Sequence, residues 1–223
     1  MRPIDHALVL ADGSVAGPSA LETAWPSWSE AIDWVVAADG GARHARTFAR
    51  RIDLWVGDGD SLGDDGVAAL ERDGVPVRRA AVDKDETDTE LALLAAAGAG
   101  ASRITIVGAL GGPRLDHGLA NIWLLAHPAI QGLDVRIVDA AVRIRLAGAG
   151  RTDLAGRAGD LVSLLPFGGD ATGVRTTGLR YPLHDEPLPS GPSRGMSNIR
   201  VGEDASIVVG SGRLLVLETP ARL

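Results

Sequence analysis

The stretch Leu54-Trp55-Val56-Gly57-Asp58-Gly59-Asp60-Ser61 decides the fold class. Its three apolar residues do not alternate with polar ones, the pattern of a strand buried on both faces, as in a parallel sheet. The run then stops on glycine and two carboxylates. In open α/β sheets, ligands bind in the crevice outside the C-terminal ends of the strands, so polar groups collected there mark a site.

A second acidic segment, Asp83-Lys84-Asp85-Glu86-Thr87-Asp88, runs straight into the helical pattern Leu91-Ala92-Leu93-Leu94. Carboxylates crowded at a strand end and a helix start repel one another unless a cation lies between them. A divalent metal is the simplest such cation, and hard oxygen ligands favour Mg²⁺. A phosphate-bearing substrate would complete its coordination shell.

Outward from these segments the chain repeats the same theme. Ala7–Ala11, Trp34–Ala38, Val75–Val77, Ile104–Val107 and Val135–Val138 are further apolar runs. Helical stretches lie between them around 40–50, 64–73, 88–98 and 116–127. Repeated βα units of this kind call for an α/β fold, a mostly parallel sheet with flanking helices. Near residue 140 the character changes to short segments punctuated by Gly, Pro, Asp and Thr: Val142–Leu146, Asp160–Leu165, Ile207–Val209 and Leu214–Leu217. Several alternate with period two, as half-exposed antiparallel strands do. A smaller all-β domain is expected there, dividing the chain into 1–140 and 141–223, with Pro187–Gly195 as loop.

The composition narrows the function classes. The chain has 223 residues, 45% of them apolar, no cysteine and a formal charge of −7. Disulfides and thiolate metal sites are excluded, and a reducing compartment fits. No dense Lys/Arg stripe is present, which argues against nucleic acid as partner. No apolar run approaches the roughly 20 residues that span a bilayer. Met1–His6 lacks a signal-peptide layout, so a cytoplasmic protein is expected.

Each motif also has a plainer reading. Asp58 and Asp60 would otherwise be Asx-turn residues bonding their own backbone; their place at a strand end beside a second acidic cluster favours a metal. Thr87-x-x-Glu90 has the form of a capping box, with Asp88 in the first helical turn, where the dipole favours negative charge. That explains Thr87 and Glu90 but not the crowding of Asp83, Asp85 and Glu86. Lys84 is either solvated or a point charge on phosphate. Gly111-Gly112-Pro113-Arg114-Leu115-Asp116-His117 follows a strand and opens a helix, which lets backbone N–H groups approach phosphate and adds the bidentate donor Arg114. His117 and Asn121 share one helix face.

Taken in order, Asp39-Gly40-Gly41, Gly57–Ser61, Asp83–Asp88 and Gly111–His117 resemble the thiamine pyrophosphokinase family, as do Thr177–Leu183 and Ser197-Asn198. The resemblance runs from about residue 35 to the C-terminus. It implies transfer of the terminal diphosphate of ATP to the hydroxyl of thiamine, giving thiamine diphosphate and AMP. It also implies an α/β catalytic domain followed by a β-sandwich, in a homodimer with active sites between subunits. By the same resemblance Asp58, Asp60 and Asp88 would hold Mg²⁺. Lys84 and Arg114 would supply positive charge, with Asp116 the candidate base. Asp39, Gly40, Gly111, His117 and Asn121 would line the nucleotide and acceptor site, and Ser197 and Asn198 would reach the substrate from the β domain.

Pro113 departs from the expected Gly-Gly-Arg, and the second domain holds no tryptophan, only Phe167 and Tyr181 as aromatics. Thiamine's cationic ring gains from an aromatic face. A diphosphokinase for a pterin alcohol, a nucleotide-sugar transferase using Asp58-Gly59-Asp60, and a non-enzymatic nucleotide-binding module are the alternatives. The transferase leaves the Asp83–Asp88 and Gly111–His117 segments without a role.

Overall fold

The computed structural model describes residues 4–221, which fall into two compact units: one of residues up to Glu22 and Ser27–Asp139, the other of Thr23–Pro26 and Ala140 onward. In the first unit, β1 (His6–Leu10) leads through α1 (Pro18–Ala24) to β2 (Ile32–Ala38). A 3₁₀ turn over Asp39–Arg43 and the short α2 (His44–Thr47) precede β3 (Leu54–Gly57), α3 (Asp64–Arg72) and β4 (Val77–Arg79). The unit closes with α4 (Asp88–Gly98), β5 (Arg103–Val107), α5 (Leu115–Trp123) and β6 (Asp134–Val138). All its strand pairs are parallel, in the order β6-β5-β1-β2-β3-β4.

β1, β3 and β5 are the continuous apolar runs of the sequence, and their side chains are buried on both faces. Leu8, Leu10, Ile104, Ile106 and Trp55 are essentially inaccessible. Burying each aliphatic side chain contributes about 1.5–3 kcal/mol. α4 packs across β1, β2 and β3 through Ala92, Leu93 and Ala96. Its start is set by Thr87, whose Oγ1 accepts the Glu90 N–H at 3.1 Å, a cap worth about 1 kcal/mol. The chain steps one way from β1 to β4, then returns to place β5 on the other side of β1. The strand order therefore reverses at β1, and a crevice opens at the strand ends there.

β4 begins two residues later than the apolar run Val75–Val77. Pro76 has no N–H to donate, and only its carbonyl joins the sheet, accepting the Trp55 N–H at 2.9 Å.

His6 opens β1 and is buried beside β5. One ring nitrogen lies 2.8 Å from Thr105 Oγ1 and the other 2.8 Å from the Glu30 carbonyl. Burial pushes its pKa below the ordinary histidine value. A folded-state pKa below the unfolded one means the unfolded chain binds more protons. Stability is then full above the unfolded histidine pKa of about 6.5 and falls as pH drops below it. His6→Gln is expected to flatten that acid limb in urea titrations between pH 7 and 5; an unchanged slope would remove His6 as its cause.

The second unit is entirely β apart from Thr23–Pro26. Its strands are β7 (Arg143–Ala147), β8 (Gly150–Leu154), β9 (Leu161–Pro166), β10 (Ala171–Thr177), β11 (His184–Leu188), β12 (Asn198–Ile199), β13 (Ala205–Val209) and β14 (Leu214–Thr219). They form two antiparallel sheets, β12-β9-β14-β7 and β11-β10-β13-β8. Val162, Leu164, Leu214 and Val216 from one sheet meet Val174, Leu188, Ile207 and Val209 from the other in one buried cluster. That is a sandwich core. Pro187 and Leu188, expected as loop, end strand β11, where Leu188 enters this core.

Trp25 corrects the expectation of a second unit without tryptophan. It is buried, with the Arg143 guanidinium 4.6 Å above its ring. Arg157 ties the same segment down by donating to the Thr23 and Ala24 carbonyls at 3.1 Å. No helix among the described residues is long and apolar enough to cross a membrane.

Candidate active site

The crevice at the strand reversal is a cleft of about 440 Å³ in the first unit. Each surrounding strand contributes the residues just beyond its end: Asp12 and Gly13 after β1, Asp39 after β2, Asp60 and Ser61 after β3, Gly108 and Ala109 after β5. The loop holding Lys84 and the first residues of α4 form one wall. Gly112, Pro113, Arg114, His117 and Asn121 form another.

Asp39, Asp58, Asp60 and Asp88 each place a carboxylate oxygen within 4.8 Å of the others. Asp39 is fixed most firmly. It is buried, with a positive φ of 41° that L-residues adopt at a cost of about 1–3 kcal/mol. Three hydrogen bonds hold it there. The Trp55 indole donates to its carbonyl at 3.0 Å, and the Ser61 and Leu62 N–H groups donate to its carboxylate at 3.0 Å each. The core tryptophan of β3 thus sets the acid after β2, and that acid sets the loop carrying Asp60. Burial raises the Asp39 pKa, against the pull of the two backbone donors.

Lys84 lies between the two acidic segments, with Nζ 2.7 Å from Asp58 Oδ2 and 3.0 Å from Asp88 Oδ1. The hydrogen bond from Lys84 holds the Asp58 carboxyl below the usual range. Burial dominates at Asp88 and, with the charges of Asp58 and Asp60, raises its pKa despite Lys84. Burial works against charge on Lys84 too, yet the hydrogen bonds and fields of both carboxylates leave it above the ordinary lysine value. Asp88 Oδ1 is buried and, beyond that ion pair, has no hydrogen bond of normal geometry. Four carboxylates with oxygens within 4.8 Å of one another, one of them buried and held only by an ion pair, are the donor set of a hard divalent cation. The residues fit Mg²⁺.

Arg114 and Asp116 stand exposed at the cleft rim as a bidentate pair, with Nε to Oδ1 at 3.2 Å. Arg114 pulls the Asp116 carboxyl down, which makes it a weaker base than its position alone indicates. Asn121 is buried on α5 and donates to the Ala109 carbonyl at 2.8 Å, so it holds the loop after β5.

Gly40 and Gly111 do not line the cleft. A Cβ at Gly40 would fall 2.3 Å from the Asp12 carboxylate, so this glycine admits Asp12 rather than a ligand. Gly111 takes a φ of 77° beside Ser14, and its neighbour Gly112 provides the wall. Asp83 and Asp85 are exposed and lie outside the four-carboxylate group. Asp12 was not foreseen, although Ala7–Ala11 runs into Asp12-Gly13 in the same manner as the other strand ends. Arg43 pairs with it at 3.3 Å and also donates to the Ser61 carbonyl.

In the second unit, Asn198 is buried, and its amide makes three hydrogen bonds. It accepts the Tyr181 N–H at 3.0 Å and the Ile199 N–H at 2.9 Å, and donates to the Tyr181 carbonyl at 2.7 Å. Asn198 therefore fixes the Tyr181 backbone. Ser197 is exposed at φ 56°, with its N–H on Ser163 Oγ. A pocket of about 110 Å³ lies here, lined by Leu164, Leu183 and Gly195 with Tyr181, Arg194, Met196 and Asn198.

Residues 25–137 match the family model described as thiamin pyrophosphokinase, catalytic domain, and residues 151–214 match thiamin pyrophosphokinase, vitamin B1 binding domain. The chain is 27% identical over 164 residues to a thiamine pyrophosphokinase of Bacillus subtilis, covering 73% of this chain and 76% of that one. Among solved structures, a thiamin pyrophosphokinase family protein from Enterococcus faecalis superposes with a TM-score of 0.81 at 28% identity, over 96% of this chain and 98% of that one. The enzyme of Candida albicans shares the fold at 15% identity, with a TM-score of 0.79 over 97% and 89% of the two chains.

Proposed function

The chain belongs to the thiamin pyrophosphokinase family, and from that premise we propose that it moves the terminal diphosphate of ATP onto the hydroxyl of thiamine. AMP leaves as the alcohol oxygen attacks the β-phosphorus. The observation that carries the reading is the convergence of Asp39, Asp58, Asp60 and Asp88, three of which (Asp39, Asp60 and Asp88) line a cleft that also holds Arg114 and His117. Such transfer needs in-line alignment and charge stabilisation more than covalent participation.

Asp58, Asp60 and Asp88 would hold Mg²⁺, with Asp39 beside them; when bound, the ion supplies positive charge to the migrating diphosphate. Arg114 exchanges Asp116 for phosphate oxygens at the rim, and Lys84 adds a second cation. Asp116 serves better to steer Arg114 than to accept the hydroxyl proton. In the β unit, exposed Tyr181, its backbone held by Asn198, presents an aromatic face to the thiamine cation beside Arg194 and Met196.

A homodimer is part of this reading. Leu115, Leu119 and Trp123 recur every four residues along one face of α5, and all three are exposed. An apolar stripe on that helix is the kind of surface a second chain covers. A cytoplasmic location accords with a chain free of cysteine.

The test is turnover of ATP with thiamine across fractions sized by light scattering. AMP and thiamine diphosphate in equal amounts are expected in the fraction with the mass of two chains. Turnover with a hydroxymethylpterin in place of thiamine would change the acceptor. ATP binding without AMP from either alcohol would leave a binding module.

A further inference from the structure

Of the 22 Lys and Arg residues, 21 are arginine, and Lys84 is the one lysine of the chain. That lysine lies at the centre of the acidic site, only 12% exposed, bridging Asp58 and Asp88. Every other cationic side chain is built from a guanidinium. The two groups differ in a way that matters here. Arginine's planar fork clamps carboxylates bidentately, whereas an ammonium is a compact point charge on a flexible stem. A site that must hold a cation and then release it is better served by lysine.

Mg²⁺ takes carboxylate oxygens at about 2.0–2.1 Å. Lys84 Nζ already sits within 3.0 Å of one oxygen on each of two carboxylates expected to bind the ion. An ion and an ammonium on the same two oxygens would repel strongly at that separation. The flanking residues Val82, Asp83 and Asp85 are exposed, so no packed neighbour in the loop blocks the lysine from swinging away.

We propose that Lys84 is an exchangeable counter-ion. It neutralises Asp58 and Asp88 until a divalent cation displaces it, and the displacement turns its ammonium into the cleft to face the phosphates. This rests on the metal site proposed above, and it adds a positioning role that comes before catalysis. Lysine here sets metal affinity downward in exchange for a site that is not left with unbalanced charge.

Two measurements without turnover test it. In the first, Mn²⁺ binding is followed by electron paramagnetic resonance for wild type, Lys84→Met and Lys84→Arg. Removing the competitor should tighten Mn²⁺ binding by roughly tenfold in Lys84→Met, whereas Lys84→Arg should bind no better than wild type. The second uses wild type alone, so it stands even if a variant fails to fold. A single lysine allows acylation by an amine-reactive ester to be read from one peptide, and Mg²⁺ without nucleotide should raise that rate several-fold. Equal or weaker Mn²⁺ binding in Lys84→Met, or acylation that Mg²⁺ leaves unchanged or slows while Mn²⁺ binding is measurable, would overturn the exchange and leave the metal site intact. No Mn²⁺ binding by any of the three proteins would overturn the metal site and the exchange with it.

Discussion

Asp88→Asn is expected to lower the rate of AMP formation from ATP and thiamine by at least about 100-fold, the equivalent of ~2.7 kcal/mol of transition-state stabilisation. The amide keeps the shape of the side chain and removes its charge. Asp88 opens α4, and its carboxylate lines the cleft as one of four that lie within 4.8 Å of one another. The fold should survive the change. Burial and the charges of Asp58 and Asp60 make the ionised form unfavourable in the folded protein, so a neutral isostere sacrifices little. The Thr87 cap stays in place. Melting temperature within a few degrees of wild type, with activity lost, is the expected pair of readings. Near-wild-type turnover would exclude Asp88 from the metal site.

The second large effect concerns stability of the β unit. Arg143 on β7 and Glu218 on β14 face each other in register, with Nε 2.9 Å from Oε2. Both are almost inaccessible, and Arg143 also donates to the Ala155 carbonyl at 2.7 Å and covers Trp25. Glu218→Leu strands a buried guanidinium and should cost about 3–5 kcal/mol. In a chain of this size that lowers the melting temperature by roughly 10 °C. The double substitution Arg143→Met with Glu218→Leu should recover most of the loss, because an apolar pair of similar volume avoids both desolvation penalties. Additive losses in the double variant would show that the pair itself contributes little.

The parallel half of the fold was legible because strands buried on both faces leave uninterrupted apolar runs, as in Ala7–Ala11 and Ile104–Val107. α4 was legible to its first residue because Thr87 and Glu90 signal its start. The second unit was harder. β8 (Gly-Arg-Thr-Asp-Leu) and β11 (His-Asp-Glu-Pro-Leu) expose most of their side chains and bury only a terminal leucine fully, so their composition reads as loop. α1 is only seven residues, with no acidic residue in its first turn and no basic one in its last, so Pro18 at its first position is its main local signal.

At the site, residue type with strand-end and helix-start placement singled out Asp58, Asp60 and Asp88, whose carboxylates do converge, but not what each neighbour does. Asp39 proved to be an anchor for the loop after β3, held by a tryptophan two elements away. Asn198 proved to be a clamp on the Tyr181 backbone. Such roles depend on long-range hydrogen bonds, which no local pattern encodes.

The most direct test of diphosphate transfer in this cleft is a reaction of ATP with thiamine in H₂¹⁸O, with products resolved by ³¹P NMR. Attack of the thiamine oxygen on the β-phosphorus leaves the bridging oxygen on AMP. The expected result is AMP and thiamine diphosphate in equal amounts, neither carrying solvent ¹⁸O. ADP as the nucleotide product, or AMP labelled with ¹⁸O, would contradict it.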